Sequence, residues 1–322
     1  MSKNKKQHYI PKRYLKAWCD PNCPANQTPY IWIFEKESKE GKKKSPGNTF
    51  HQTDMYAIWD DQGQRNLNIE HGLGGLEDQF STIRNKKFNF RRDLDRAEKL
   101  IIEVFIAAMH ARTKKQLKHL SDQWKHPLKM MDQLAEQMKT ATEEEKRNFA
   151  KMSPPSSNSK RDSLTHEQVR KIVEDPVSTL LLPLIRAEAP LLGNLDFSIL
   201  CTDTSPGFIT SDSPCVWFDP KSCTRPPLYQ APALMYETIE ISLPVSPKIC
   251  ILLNRQGSTG YQDVPEIVVS EINRRTRFYA SEYYVTSQNV TDSYWFDPGK
   301  APDDSWDNRN KPSGCNSSRR LG

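Results

Sequence analysis

The sequence predicts an α+β fold: a central helical region packed on a mainly antiparallel sheet supplied by the C-terminal half, with an N-terminal strand pair. Two observations carry that expectation. Apolar residues recur at helical spacing through the middle of the chain, at Ile69, Leu73, Leu76, Phe80 and Ile83 and again from Leu100 to Ala108. Short β-branched and aromatic runs then crowd residues 197–286, and many are closed by Pro, Gly, Asp or Ser.

In chain order, Tyr30–Phe34 reads as a strand behind Pro29, the mixed-charge run 35–44 as a turn or loop, and Met55–Trp59 as a second strand that pairs with the first. From Asn68 the period becomes helical. Gly72, Gly74 and Gly75 each cost such a helix about 1 kcal/mol relative to Ala, so either another group approaches closely there or tertiary packing compensates. Asp95 with Glu98 forms a capping box that opens the next helix, whose expected buried face is Leu100, Ile101, Val104, Phe105 and Ala108. Residues 120–164 read as a polar helical insertion ending in a linker rich in Ser and Pro at 153–163. Thr165 with Gln168 opens another helix, which Pro176 and Pro183 interrupt. Strands follow at 197–201, 208–210, 215–218, 238–243 and 249–253, then a helix at 265–277 and a last strand at 283–286. Residues 1–296 are expected to form one domain and 297–322 a disordered tail.

Composition narrows the class. The chain has 322 residues, 46 Lys+Arg against 40 Asp+Glu, and only 36% apolar residues. Its mean hydropathy of −0.75 points to solvated helices or tails, while seven Trp argue against wholesale disorder. The longest apolar run, 100–109, is broken by Glu103 and is far short of the ~20 residues a membrane helix needs. The charged N-terminus has no apolar core behind it, and seven cysteines are an odd number without repeated spacing, so reduced thiols and a cytoplasmic location are expected. Cys19 and Cys23 read as a turn with Pro21, Asn22 and Pro24 rather than half a zinc site. Residues 1–16 hold six cations and no acid, which equals the whole net charge of +6. Such a patch favours nucleic acid or a phosphate-bearing molecule.

Three groups of residues are candidates for chemistry. His8 lies among Lys5, Lys6, Lys12 and Arg13, whose charge disfavours imidazolium and leaves a neutral base near pH 7. Ser211 and Asp212 end a strand before Pro214 and are placed to project into a cleft, where Asp212 is a metal ligand, a base or an orienting carboxylate. The alternative there is a turn in which Asp212 bonds the backbone. Glu70 and Glu77 stack with Arg84 along a helix flank, near Arg112 of the next helix. They are either a metal-binding pair or half of an interhelical salt bridge. There is no G-x-S-x-G, H-E-x-x-H, Walker A loop or strand-linked G-x-G-x-x-G.

Read together, the motifs have a recognisable order: His8-Tyr-Ile-Pro11 with Tyr14-Leu15, Asp54-x-Tyr56, Ile69-Glu70 with Glu77, Arg112, Thr210-Ser211-Asp212-x-Pro214, Leu243-Pro-x-Ser-Pro247, and Ile272-Asn273 near Ala280. This order resembles the microbial family known as domain of unknown function 4238, over residues 7 to 286, with Ser213 where the family typically has Asn. The resemblance implies one polar cleft collecting His8, Glu70, Glu77, Arg112, Asp212 and Asn273, without implying a known activity.

The expected function is cleavage of phosphodiester bonds in RNA or DNA. His8 acts as general base or acid, Arg112 stabilises phosphorane charge, and Asn273 lines the same cleft. Glu70, Glu77 and Asp212 are the candidate ligands for a divalent cation such as Mg²⁺, and Lys5, Lys6, Lys12, Arg13 and Ser211 the candidate substrate contacts. His8 and Asp212 should line one pocket. The competing readings are a nucleic-acid- or partner-binding protein without turnover, stacking Tyr9, Tyr14 and Trp18 on bases, and an enzyme acting on a small phosphorylated metabolite.

Overall fold

The computed structural model describes residues 6–59, 62–152 and 164–297. The N-terminal part holds β1 (Lys6–His8), the short helix α1 (Lys12–Leu15), β2 (Ile31–Glu35), β3 (Gly41–Lys44), β4 (His51–Thr53), β5 (Ile58–Trp59) and β6 (Arg65–Asn66). The middle is helical: α2 (Asn68–Lys86), α3 (Arg96–Ala111), α4 (Lys114–Thr140), α5 (Glu143–Met152), α6 (His166–Glu174) and α7 (Pro176–Leu192). Then come β7 (Asp196–Cys201), β8 (Thr210–Ser211), β9 (Val216–Phe218), β10 (Glu240–Ser246), β11 (Ile249–Asn254), β12 (Gly260–Asp263), α8 (Glu266–Tyr279) and β13 (Tyr283–Thr286). The class is α+β.

Two sheets organise these elements. One has the order β12-β7-β11-β10-β9 and the other β3-β2-β13-β8; β1 with β4 and β5 with β6 form separate ribbons. Every pairing is antiparallel except β12 on β7. The alternating inward residues of β10 and β11, among them Ile241, Leu243, Ile249 and Ile251, meet the apolar stripes of α2 and α3 in one core. At its centre Phe80 and Phe105 stack with ring centroids 3.7 Å apart.

Several expectations change. The run 35–44 contains β3, a lysine-bearing outer strand, and β2 pairs with β3 and β13 rather than with 55–59. The segment 55–59 contributes only β5, which pairs with β6. The glycines of α2 meet no close neighbour: a Cβ at Gly72, Gly74 or Gly75 would find nothing within 4 Å. Packing of Ile69, Leu73, Phe80 and Ile83 therefore offsets their propensity cost. The capping boxes of Asp95/Glu98 and Thr165/Gln168 both form. The buried face of α3 is rotated from the expected one: Ile102, Phe105, Ile106, Ala108 and Met109 are inside, and Leu100 is 55% exposed. Pro176 starts α7, and Pro183 and Pro190 lie within it. Both interior prolines are exposed, on the outer side of the helix. The expected linker 153–163 and residues 298–322 of the expected tail lie outside the described residues. No helix among the described residues is long and apolar enough to cross a membrane.

Candidate active site

Most of the polar motif residues serve the backbone. Asn273, on α8, is 1% exposed; its amide nitrogen donates to the Gly207 carbonyl (2.8 Å), and its oxygen accepts from the Ile209 amide (2.9 Å). Gly207 itself has φ +76°, and a Cβ there would lie 2.0 Å from the Pro247 carbonyl oxygen, so only glycine fits between Asn273 and the Ser246-Pro247 turn. Tyr14 reaches across from α1, bonding the Thr210 hydroxyl at 2.8 Å and donating to the Pro244 carbonyl. Trp18 donates to the Phe208 carbonyl. The N-terminal segment is thereby tied to both sheets.

Asp212 plays the turn-holding role. One carboxylate oxygen accepts from the Ser281 amide (2.7 Å), and the other from Glu282 (2.7 Å) and Tyr283 (3.1 Å). Burial raises its pKa against the pull of these three amides. Ser211 is fully buried and accepts from the Ser213 amide, so it is not placed to contact substrate. These two expectations are corrected: the strand end folds back on itself instead of projecting.

The carboxylate flank resolves as an interhelical bridge. Arg112 caps the C-terminus of α3 at 1% exposure, donating to Glu77 Oε1 (2.9 Å) and to the His8 carbonyl. Arg84 instead donates to the carbonyls of Arg13 and Tyr14. Glu70 stands beside Glu77, its pKa raised by burial and then by that neighbouring charge. Among the described residues no three His, Cys, Asp or Glu side chains converge as a metal site, so Glu70, Glu77 and Asp212 do not form the expected one. Arg112 thus spends Nη1 on Glu77 and Nη2 on the His8 main chain, and its Nε is buried without a hydrogen-bond partner.

His8 is different. Its partner in the β1–β4 register is His51, and the two rings meet edge to face with centroids 5.6 Å apart. His8 Nε2 donates to the Gly47 carbonyl (3.3 Å), which leaves Nδ1 with the lone pair when the ring is neutral. Burial lowers the His8 pKa, opposed by that hydrogen bond and reinforced by His51, Arg112 and Lys12. Burial also lowers His51, followed by the charges of Lys6, Lys44 and Lys114. Lys6 donates to Asn48 (3.3 Å), and Lys114 lies over the Tyr9 ring at 4.9 Å. Asp212 acts on Tyr9, the next residue, while both of its carboxylate oxygens are taken up by the amides of Ser281, Glu282 and Tyr283 and none bonds His8. Lys6 and Lys12 do adjoin His8; Arg13 turns away to pair with Asp78, and Lys5 lies outside the described residues.

Sequence reasoning missed His51, Lys44 and Lys114. The usable signal was the period-2 pair Lys6/His8, which marks one face of a strand and implies a partner strand bringing residues to that face. It also missed His110, whose Nδ1 lies 3.0 Å from both oxygens of Glu188.

The fold and this face define an α+β protein with a paired-histidine, lysine-rich surface built on its N-terminal ribbon. The chain belongs to the DUF4238 family: residues 6–289 match the family model described as "Protein of unknown function (DUF4238)". No curated protein and no solved structure matches it.

Proposed function

We propose that the protein cleaves phosphodiester bonds in RNA, using His8 and His51 as the acid–base pair. The observation that carries this reading is the edge-to-face pair of imidazoles, both with lowered pKa, bordered by Lys6, Lys12, Lys44 and Lys114. Neutral imidazole is a competent base near pH 7, and four exposed ammonium groups match the charge of a phosphate backbone.

In this reading His8 Nδ1 takes the proton of the ribose 2′-hydroxyl as that oxygen attacks phosphorus. His51 protonates the departing 5′-oxygen, and the lysines hold the equatorial charge of the phosphorane. A bound phosphate raises the proton affinity of His51, which offsets the lysines' effect and prepares it as the acid. RNA is favoured over DNA because the 2′-hydroxyl supplies an internal nucleophile.

The test is incubation of the purified protein with end-labelled RNA and its 2′-deoxy counterpart. Products ending in a 2′,3′-cyclic phosphate, from RNA alone, are expected, with loss in His8→Gln. Stoichiometric binding without turnover would replace this reading with a nucleic-acid-binding one.

A further inference from the structure

A cavity of about 200 Å³ lies on the other side of the α4 N-terminus, lined among others by His110, Lys115, Gln116, Ser213, Trp217 and Tyr279. Neither the family match nor the reading above gives it a role. Its His110 is built to act. Glu188 holds Nδ1 with both carboxylate oxygens at 3.0 Å, so Nδ1 carries a proton and Nε2 is left for a ligand. The Trp217 indole stacks on that imidazole at 4.4 Å with 19° between planes, which fixes its tilt. A partly buried Glu–His pair with a stacked aromatic, facing a cavity, is more organisation than packing alone requires. Cys215, also in the wall, is held as the neutral thiol by burial and is no nucleophile.

The walls specify a ligand. Trp217 and Tyr279 offer aromatic surface, Gln116 a donor and an acceptor on one amide, Lys115 a cation, and His110 a ring nitrogen. The volume suits one or two fused rings and no more. We infer that this pocket binds a nucleobase, stacked against its aromatic wall and read along its edge by His110 and Gln116. The inference rests on the RNA-cleavage reading for the identity of the base-bearing ligand. Two features link the places. Lys114, at the histidine face, and Lys115, in the pocket wall, are consecutive at the start of α4 and splay to adjoining sides of it. Asp212 lies between, acting on Tyr9 while its neighbour Ser213 lines the pocket.

Isothermal titration of the full chain with uridine 5′-monophosphate, adenosine 5′-monophosphate and ribose 5-phosphate tests this. At least one nucleotide should bind ten-fold or more tighter than ribose 5-phosphate, which carries the same phosphate without a base. Glu188→Gln should weaken that nucleotide ten-fold or more. Gln116→Ala, a half-exposed change that leaves the fold intact, should weaken it several-fold and covers a failure of Glu188→Gln to fold. Equal binding of ribose 5-phosphate, or nucleotide binding indifferent to Glu188 and Gln116, would overturn the inference and leave RNA cleavage standing. Base-dependent binding in a protein that cleaves no RNA would uphold the pocket and overturn the cleavage reading.

Discussion

The Thr210–Asp212 strand end with Asn273, and the β1–β4 ribbon, carry the same kinds of polar side chain and use them in opposite ways. Around the strand end every functional group is consumed. Asn273 answers Gly207 and Ile209, Asp212 answers three successive amides, and Tyr14 answers Thr210 and Pro244. On the ribbon, His8 spends one ring nitrogen on Gly47 and keeps the other, and the lysines around it stay in solvent. The difference teaches that a polar residue is available for chemistry only when its hydrogen-bonding capacity exceeds what the backbone takes from it.

The largest effect that should separate the two regions is on turnover. His8→Gln is expected to lower RNA cleavage by about 10²–10⁴-fold, the usual worth of a general base, with little change in the thermal midpoint. The strand end should respond in reverse. Asn273→Ala orphans a buried carbonyl and a buried amide and should cost about 2–5 kcal/mol in urea unfolding, leaving cleavage per folded molecule unchanged. Asp212→Ala should cost about 2–4 kcal/mol by the same mechanism. If either variant folds normally and is inactive, the comparison collapses.

A pH series sharpens it further. The pKa of His8 and of His51 lies below the ordinary 6.5 in the folded protein, so below that pH the unfolded chain binds the extra protons more readily. Their contribution is complete above pH 6.5 and is lost as pH falls through the folded values. Urea midpoints at pH 7.5 and 5 should therefore differ less in His8→Gln than in the parent. Lys114→Ala should weaken RNA binding at low salt and reduce the slope of log affinity against log salt by about 1. Smallest of all, Arg13→Ala removes a pair with Asp78 in which both side chains are more than half exposed. It should change stability by about 0–1 kcal/mol, measured by the same urea curves.

Much of the fold was legible because periodicity survives without knowledge of partners. The α2 stripe, both capping boxes and the strand at 283–286 all follow from spacing or from local hydrogen bonding. Strand pairing was not legible. β4 is three residues long after Phe50 at φ +54°, and nothing in His51-Gln-Thr53 alone marks it as a strand. β3 was hidden because Lys42, Lys43 and Lys44 read as a solvated loop, whereas an outer strand tolerates charge on both faces. For the site, residue type pointed to the right motifs without telling backbone service from chemistry. Asp212 and His8 look equally reactive in sequence, and only the three amides of Ser281–Tyr283 distinguish them.

The lysines of β3 have a colloidal consequence as well. β3 is the last strand of its sheet, so among the described residues one row of its amides and carbonyls has no strand partner. An open edge of that kind invites a second molecule to add a strand. Lys42 leans to Glu35 on one face and Lys43 covers Tyr30 and Trp32 on the other, so any chain that paired here would bring ammonium groups against its own copies. The repulsion keeps the edge from templating aggregates. Acetylating these lysines, or replacing Lys43 with Val, should therefore promote self-association through this strand, read as a rise in apparent mass by light scattering.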